Sequence, residues 1–191
     1  MSKSCVVSLG SNCSVTLWLN KLKLRKNAFP FDWSSLNIKI LNNIIKNKFS
    51  EYLETLQILY VSDKHPNELG NSTMLITNKY KIRYAHEVIT SDLNDFLKSL
   101  DNRIKRFYEL ENEDFITYVR IELSIVSNSY IKELEILIKL LDTVNPNYII
   151  KLIIHKDSVK ITLDKVQIYY YDSFSSDWKM DHLDWSTILL D

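Results

Sequence analysis

An α/β fold, a mostly parallel or mixed central sheet flanked by helices, is what this sequence predicts, and three observations carry that expectation. Strand-like apolar runs alternate with helical periodicity along the last third of the chain. One of these runs, Tyr148-Ile149-Ile150-Lys151-Leu152-Ile153-Ile154, is nearly continuous in apolar residues, as in a strand covered on both faces. Buried strands joined through helices favour parallel pairing with helices on both sides. No repeat or low-complexity linker interrupts the 191 residues, so a single α/β domain over residues 1–191 is expected.

The elements follow in order. Cys5 to Leu9 reads as a strand ending at Gly10, and Val15, Leu17, Trp18, Leu19 and Leu22 place a helix over Asn12 to Lys23. Residues Arg25 to Ser35 lack helical period and hold a proline between aromatic residues, which predicts an ordered loop packed by its own rings. Ile38, Leu41, Ile44 and Ile45 predict a second helix, capped by Asn37 or Ser35 and ending near Phe49. Leu56 to Val61 reads as a strand and His65 to Asn71 as a turn-rich loop, with a hairpin of Thr73 to Thr77 and Lys81 to Tyr84 about Asn78-Lys79.

From Ser91, the spacing Leu93, Phe96, Leu97, Leu100, Ile104, Phe107 and Leu110 predicts a long amphipathic helix, with Arg103 and Arg106 most simply on its solvated face and, as the alternative, buried guanidinium that holds the rim together. Strand Phe115 to Ile121, helix Ser129 to Leu141, strands Tyr148 to Ile154 and Val166 to Tyr171, and a short helix from about Leu183 complete the chain.

Composition narrows the function. The 24 basic and 24 acidic residues balance to zero and are interspersed, so neither nucleic acid nor an anionic membrane is expected as a partner. No stretch approaches the ~18 apolar residues of a membrane span, and the start leads straight into a strand, which predicts a soluble, cytoplasmic protein. Two cysteines, Cys5 and Cys13, make no disulfide framework and no metal-site spacing, so neither a metal nor another cofactor is expected. The abundance of Asn, Ile and Lys suggests an AT-rich genome such as some large DNA viruses have.

The most informative chemistry lies in Ser8-Leu9-Gly10-Ser11-Asn12-Cys13. In an open α/β sheet, sites form at the carboxyl ends of strands, where loops lead into helix N-termini. Cys13 stands in that position, where unsatisfied N–H groups and the helix dipole favour a thiolate. A thiol nucleophile needs a base, and His86 and His155 are equally placed by sequence, whereas His65 and His182 lie in polar, turn-like surroundings. Arg120, Glu122 and Asp172 are expected on the same rim as His155. Against this stands the plainer reading, in which Cys13 is a small buried hydrophobe, Phe29, Phe31 and Trp33 plug a core, and Asp32 caps a loop.

The same residues carry a resemblance. Leu9-Gly10-Ser11-Asn12-Cys13, Leu24-Arg25 and Pro30-Phe31-Asp32-Trp33 look like the N-terminal signature of a family catalogued as papain-like cysteine peptidases and long held as a domain of unknown function, found in bacteria and large DNA viruses. Ala85-His86-Glu87, Arg103-Ile104-Lys105-Arg106-Phe107, the strand closing in Arg120 and the tryptophan at Trp185 are similar to its later elements. The resemblance implies a Cys13 nucleophile and a His86 base, with Asp172 or Asp32 to orient the imidazole. Backbone N–H groups about Asn12 to Ser14 would form the oxyanion site, and Ser11, Asn12, Trp33 and Arg120 would contact a peptide or other acyl substrate. Two alternatives of other classes stand beside it: a non-catalytic binding or host-interaction protein on the same scaffold, and a transferase holding a phosphate or nucleotide at the Gly10-Ser11-Asn12 turn.

Overall fold

A computed structural model describes residues 4–54, 57–62, 73–77, 79–82, 93–173 and 177–190. Its centre is a four-stranded parallel sheet in the order β1 (Ser4–Ser8), β4 (Phe115–Ile121), β5 (Tyr148–His155), β6 (Val166–Tyr171). The helices are α1 (Ser14–Lys21), α2 (Ile38–Lys46), α3 (Leu93–Glu109), α4 (Asn128–Asp142) and α5 (Trp185–Leu190), with a 3-10 turn at Leu110–Asn112 after α3. The expected α/β class is the observed one.

Strand alternation sorts the core into two layers. On β4, Ile116 and Tyr118 face the cluster built by α2, α3 and α4, whereas Val119 and Ile121 face the one built by α1 and α5. β5 divides likewise, with Ile150, Leu152 and Ile154 on the first side and Ile153 on the second. Both faces of the central strands are therefore buried, which is why the run at 148–154 shows no alternation. Its one charge, Lys151, donates to the Ile188 carbonyl at 2.9 Å, where a cation satisfies the last turn of α5.

Local chemistry sets the helix ends. Asn37 caps α2 through Oδ1, which accepts from Ile40 N–H at 2.9 Å, so of the two expected caps Asn37 is the one used. α1 closes with Lys23 at φ 58°, while the Leu24 N–H reaches back to the Leu19 carbonyl at 2.8 Å. On the second face, Trp185 of α5 is buried and stacks on Trp18 of α1, ring centroids 5.9 Å apart.

Two expectations are corrected. Among the described residues β3 (Thr73–Thr77) pairs antiparallel with β2 (Gln57–Ser62) in a separate two-stranded sheet, and Lys81 and Ile82, after Asn78, form no strand with it. Lys79 and Tyr80 lie in a turn, and Lys81, at φ 58°, and the buried Ile82 are in no strand, while Arg83 and Tyr84 of the expected return lie outside the described residues. Arg103 is buried rather than on the solvated face of α3, whereas Arg106 donates to the Asn102 carbonyl at an exposed position. The loop at 65–71, with His65, and the segment 83–90, with His86, lie outside the described residues.

Candidate functional site

The two signature segments, twenty residues apart in sequence, form one corner at the carboxyl end of β1. After Leu9, Gly10 and Ser11 turn the chain with φ 74° and 78°, a left-handed pair that costs a residue with a side chain strain and suits glycine. A Cβ on Gly10 would collide with Leu36 Cδ2 and stand 3.0 Å from Ser34 Oγ, so the loop after Trp33 packs directly on the turn. Ser35 Oγ donates to the Ser11 carbonyl at 3.1 Å, and Gly10 N–H donates to Ser8 Oγ at 3.3 Å.

The turn delivers Cys13 to the N-cap position of α1. Its carbonyl accepts from Leu17 N–H at 3.0 Å, the first bond of the helix ladder. Asn12 is buried and its Oδ1 accepts from Ser14 N–H at 2.6 Å, so one of the N-terminal donors is already satisfied. Cys13 itself is half-buried, and burial pushes its thiol up to about 12, against the pull of the helix N-terminus. Cys5, behind it in β1, is pushed up to about 11, chiefly by burial and then by the Glu113 charge.

Asp32 ties the second segment to the helix. It is buried, and its Oδ2 accepts from Arg25 Nε and Nη2, both at 2.8 Å, and from Phe29 N–H at 2.9 Å. Thr16 Oγ1 lies 3.5 Å from Asp32 Oδ1 and accepts from Trp33 N–H at 3.3 Å. Burial raises the Asp32 carboxyl above its ordinary range, while the Arg25 charge, the Phe29 N–H and the Arg103 charge draw it down. Trp33, at φ 56°, is half-buried, and Phe31 packs against Phe49 and Phe107 in the core.

Arg120 lies beneath the corner, fully buried. Nη1 donates to the Leu9 carbonyl at 2.9 Å, Nη2 to the Leu36 carbonyl at 3.0 Å, and Nε to Glu122 Oε1 at 2.5 Å. One guanidinium thus holds both the residue before Gly10 and the residue before the α2 cap.

The other expected rim groups stand elsewhere. His155 ends β5, two strand spacings or about 10 Å across the sheet from β1. Its Nε2 pairs with the Asp172 carbonyl at 3.1 Å and its Nδ1 with Asp157 N–H at 3.2 Å, so both ring nitrogens are engaged. Asp172 follows β6 at the opposite edge, exposed and 3.7 Å from Lys156 Nζ. Among the described residues no group of three His, Cys, Asp or Glu side chains stands where it could hold a metal ion. None of the helices described is long and apolar enough to cross a membrane.

The corner also uses residues that sequence reading did not single out. Thr16 offered one faint signal, a polar residue beside Val15 in an apolar-periodic helix, and like Ser14 it is buried. Ser34 and Leu36 offered none, and Ser35 drew notice only as a candidate helix cap, since their contacts with Gly10 and Ser11 follow from long-range packing.

Residues 4–158 match a family described as "Putative papain-like cysteine peptidase". The chain belongs to that family. It is also 28% identical to the uncharacterized protein R408 of Acanthamoeba polyphaga mimivirus, over 216 aligned positions that cover 96% of each chain. The matched region holds the whole corner, Cys13 to Asp32 and Arg120, and stops short of β6 and α5.

Proposed function

We propose that this protein is a cysteine-dependent hydrolase or acyl transferase, acting in the cytoplasm on a peptide or other acyl substrate, with Cys13 as nucleophile and His86 as base. The observation that supports it is the corner itself. A left-handed turn, a buried carboxylate and a buried guanidinium converge to hold one half-buried thiol at a helix N-terminus, in a family described as peptidases. In this reading His86 takes the thiol proton, the sulfur bonds to the acyl carbon, and the imidazolium protonates the leaving group; water or an acceptor then releases the acyl group. The unsatisfied N–H groups at the start of α1 would receive the oxyanion. Asp32 and Arg120 act as positioning residues, because their polar atoms are committed to the loops they hold. Asp172, three strand spacings from β1, is the less suited of the two carboxylates to orient the base.

The pH dependence of Cys13 alkylation by iodoacetamide, followed by intact mass, tests this. The expected midpoint for the wild-type chain is below ~8.5, rising toward the buried-thiol value in His86→Ala. A wild-type midpoint at or above ~8.5 overturns the activated thiolate. One observation favours the non-catalytic binding protein instead, namely that Cys13 is half-buried, which raises its thiol and disfavours the thiolate. Cys13→Ser decides between them: lost acyl turnover with intact folding supports the enzyme, and retained biological activity supports the binding protein.

A further inference from the structure

We propose that β6 is the interface through which two copies of this chain join, pairing antiparallel to make one continuous eight-stranded sheet. The inference begins with the ladder. Ile150 N–H donates to the Lys165 carbonyl and Lys156 N–H to the Tyr171 carbonyl, so the odd-numbered residues of β6 direct their backbone groups to β5. The even-numbered residues therefore direct theirs outward, where β6 has no strand neighbour among the described residues. Val166 N–H is taken by the Leu163 carbonyl, but the N–H and C=O of Ile168 and Tyr170 have no partner among the described residues. Tyr170 is also one of the most exposed large apolar side chains, 55% accessible.

Most exposed edge strands carry a lysine, a proline or a bulge that blocks pairing. Val166-Gln167-Ile168-Tyr169-Tyr170-Tyr171 carries none of these and no charge, so a second β6 meets it without repulsion. The free groups also select a register. With Tyr169 opposite the partner's Tyr169, Ile168 faces the partner's Tyr170 and Tyr170 faces the partner's Ile168, and each free N–H meets a free C=O. Lys165 then stands opposite the partner's Ser173.

Moving the centre to Ile168 sets Asp164 opposite the partner's Asp172, and sets Tyr170 opposite Val166, whose N–H is already bonded. Moving it to Tyr170 sets Ile168 opposite Asp172, whose carbonyl already serves His155. In the chosen register the Tyr169 rings meet on the α5 face, beside a cavity of about 390 Å³ bordered by Tyr169, Tyr171, Leu183 and Ile188. That cavity takes the ring of the partner's Tyr169.

Sedimentation velocity from about 1 to about 100 µM tests the pairing. The wild-type chain is expected to reach twice its 22.6 kDa mass, and Tyr170→Pro, which removes an outward N–H and no ladder bond, to stay monomeric while its circular dichroism is unchanged. Tyr170→Lys is the second variant should the proline disturb the strand. The register has its own test: Tyr169→Cys is expected to give a covalent dimer on mild oxidation, whereas Gln167→Cys, offset from its own copy by about 13 Å, is not. A monomeric wild type, a folded Tyr170→Lys that still dimerises, or equal cross-linking at 167 and 169 overturns the proposal.

Discussion

The two edges of the parallel sheet are built on opposite plans. At the β1 edge, Lys26 Nζ caps the outward Ser4 carbonyl at 2.9 Å, and the turn after β1 is gripped by Ser34, Ser35, Leu36 and Arg120. At the β6 edge, Ile168 and Tyr170 leave their outward backbone groups unbonded among the described residues, and the strand carries no charge. Backbone strain is held at β1, where several contacts over-determine a left-handed pair of residues. Among the described residues, unused hydrogen-bonding capacity is held at β6. One end fixes a conformation around a thiol, and the other presents a surface.

That contrast is broken most severely at Arg120. Arg120→Met leaves Glu122 half-buried without its cation and strips the Leu9 and Leu36 carbonyls of their donors, and urea unfolding should show a loss of about 3–5 kcal/mol. Gly10→Ala comes next. Its Cβ meets Ser34 and Leu36 in a left-handed turn, and a loss of roughly 2 kcal/mol is expected by the same measurement. Both variants should also slow Cys13 alkylation at fixed pH, because each loosens the turn that sets the thiol at the head of α1. The smallest effect sharpens the comparison from the other side. Tyr170→Lys should leave the unfolding free energy of the monomer within ~0.5 kcal/mol, since an exposed ring on an unpaired edge supports little of the fold. A large loss there would mean that β6 is structural in the same sense as the β1 corner.

How much of this was legible in sequence depends on the range of the interaction. β4 and β6 were legible to the residue and α4 within one residue at either end, because burial on a strand or helix face leaves a local period. Parallel pairing was legible in the nearly continuous apolar run of β5. The partner of β3 was not, since a short neighbouring segment suggests a hairpin and nothing local marks the return to β2. Arg103 illustrates the same limit, as its place in the helix period fits either a solvated or a buried guanidinium. At the site, the motifs singled out Cys13 and Asp32 but not Thr16, whose hydroxyl lies 3.5 Å from the Asp32 carboxylate. Arg120 was foreseen as a contact for the substrate, whereas its observed partners are two carbonyls and Glu122. A strand-end arginine and a substrate-binding arginine look alike until the loops above them are placed.

The reach of Arg120 also has a consequence in time. Its bonds to Leu9 and Leu36 span 111 and 84 residues of sequence, so the corner around Cys13 cannot close until β4 has been made and has docked beside β1. At about 5–20 residues per second, the cysteine leaves the ribosome roughly 5–20 s before the arginine that completes its setting. A chain cut short ahead of Arg120 therefore carries the Cys13 thiol without the geometry that surrounds it, and that cysteine gains its setting only after more than a hundred further residues have been made.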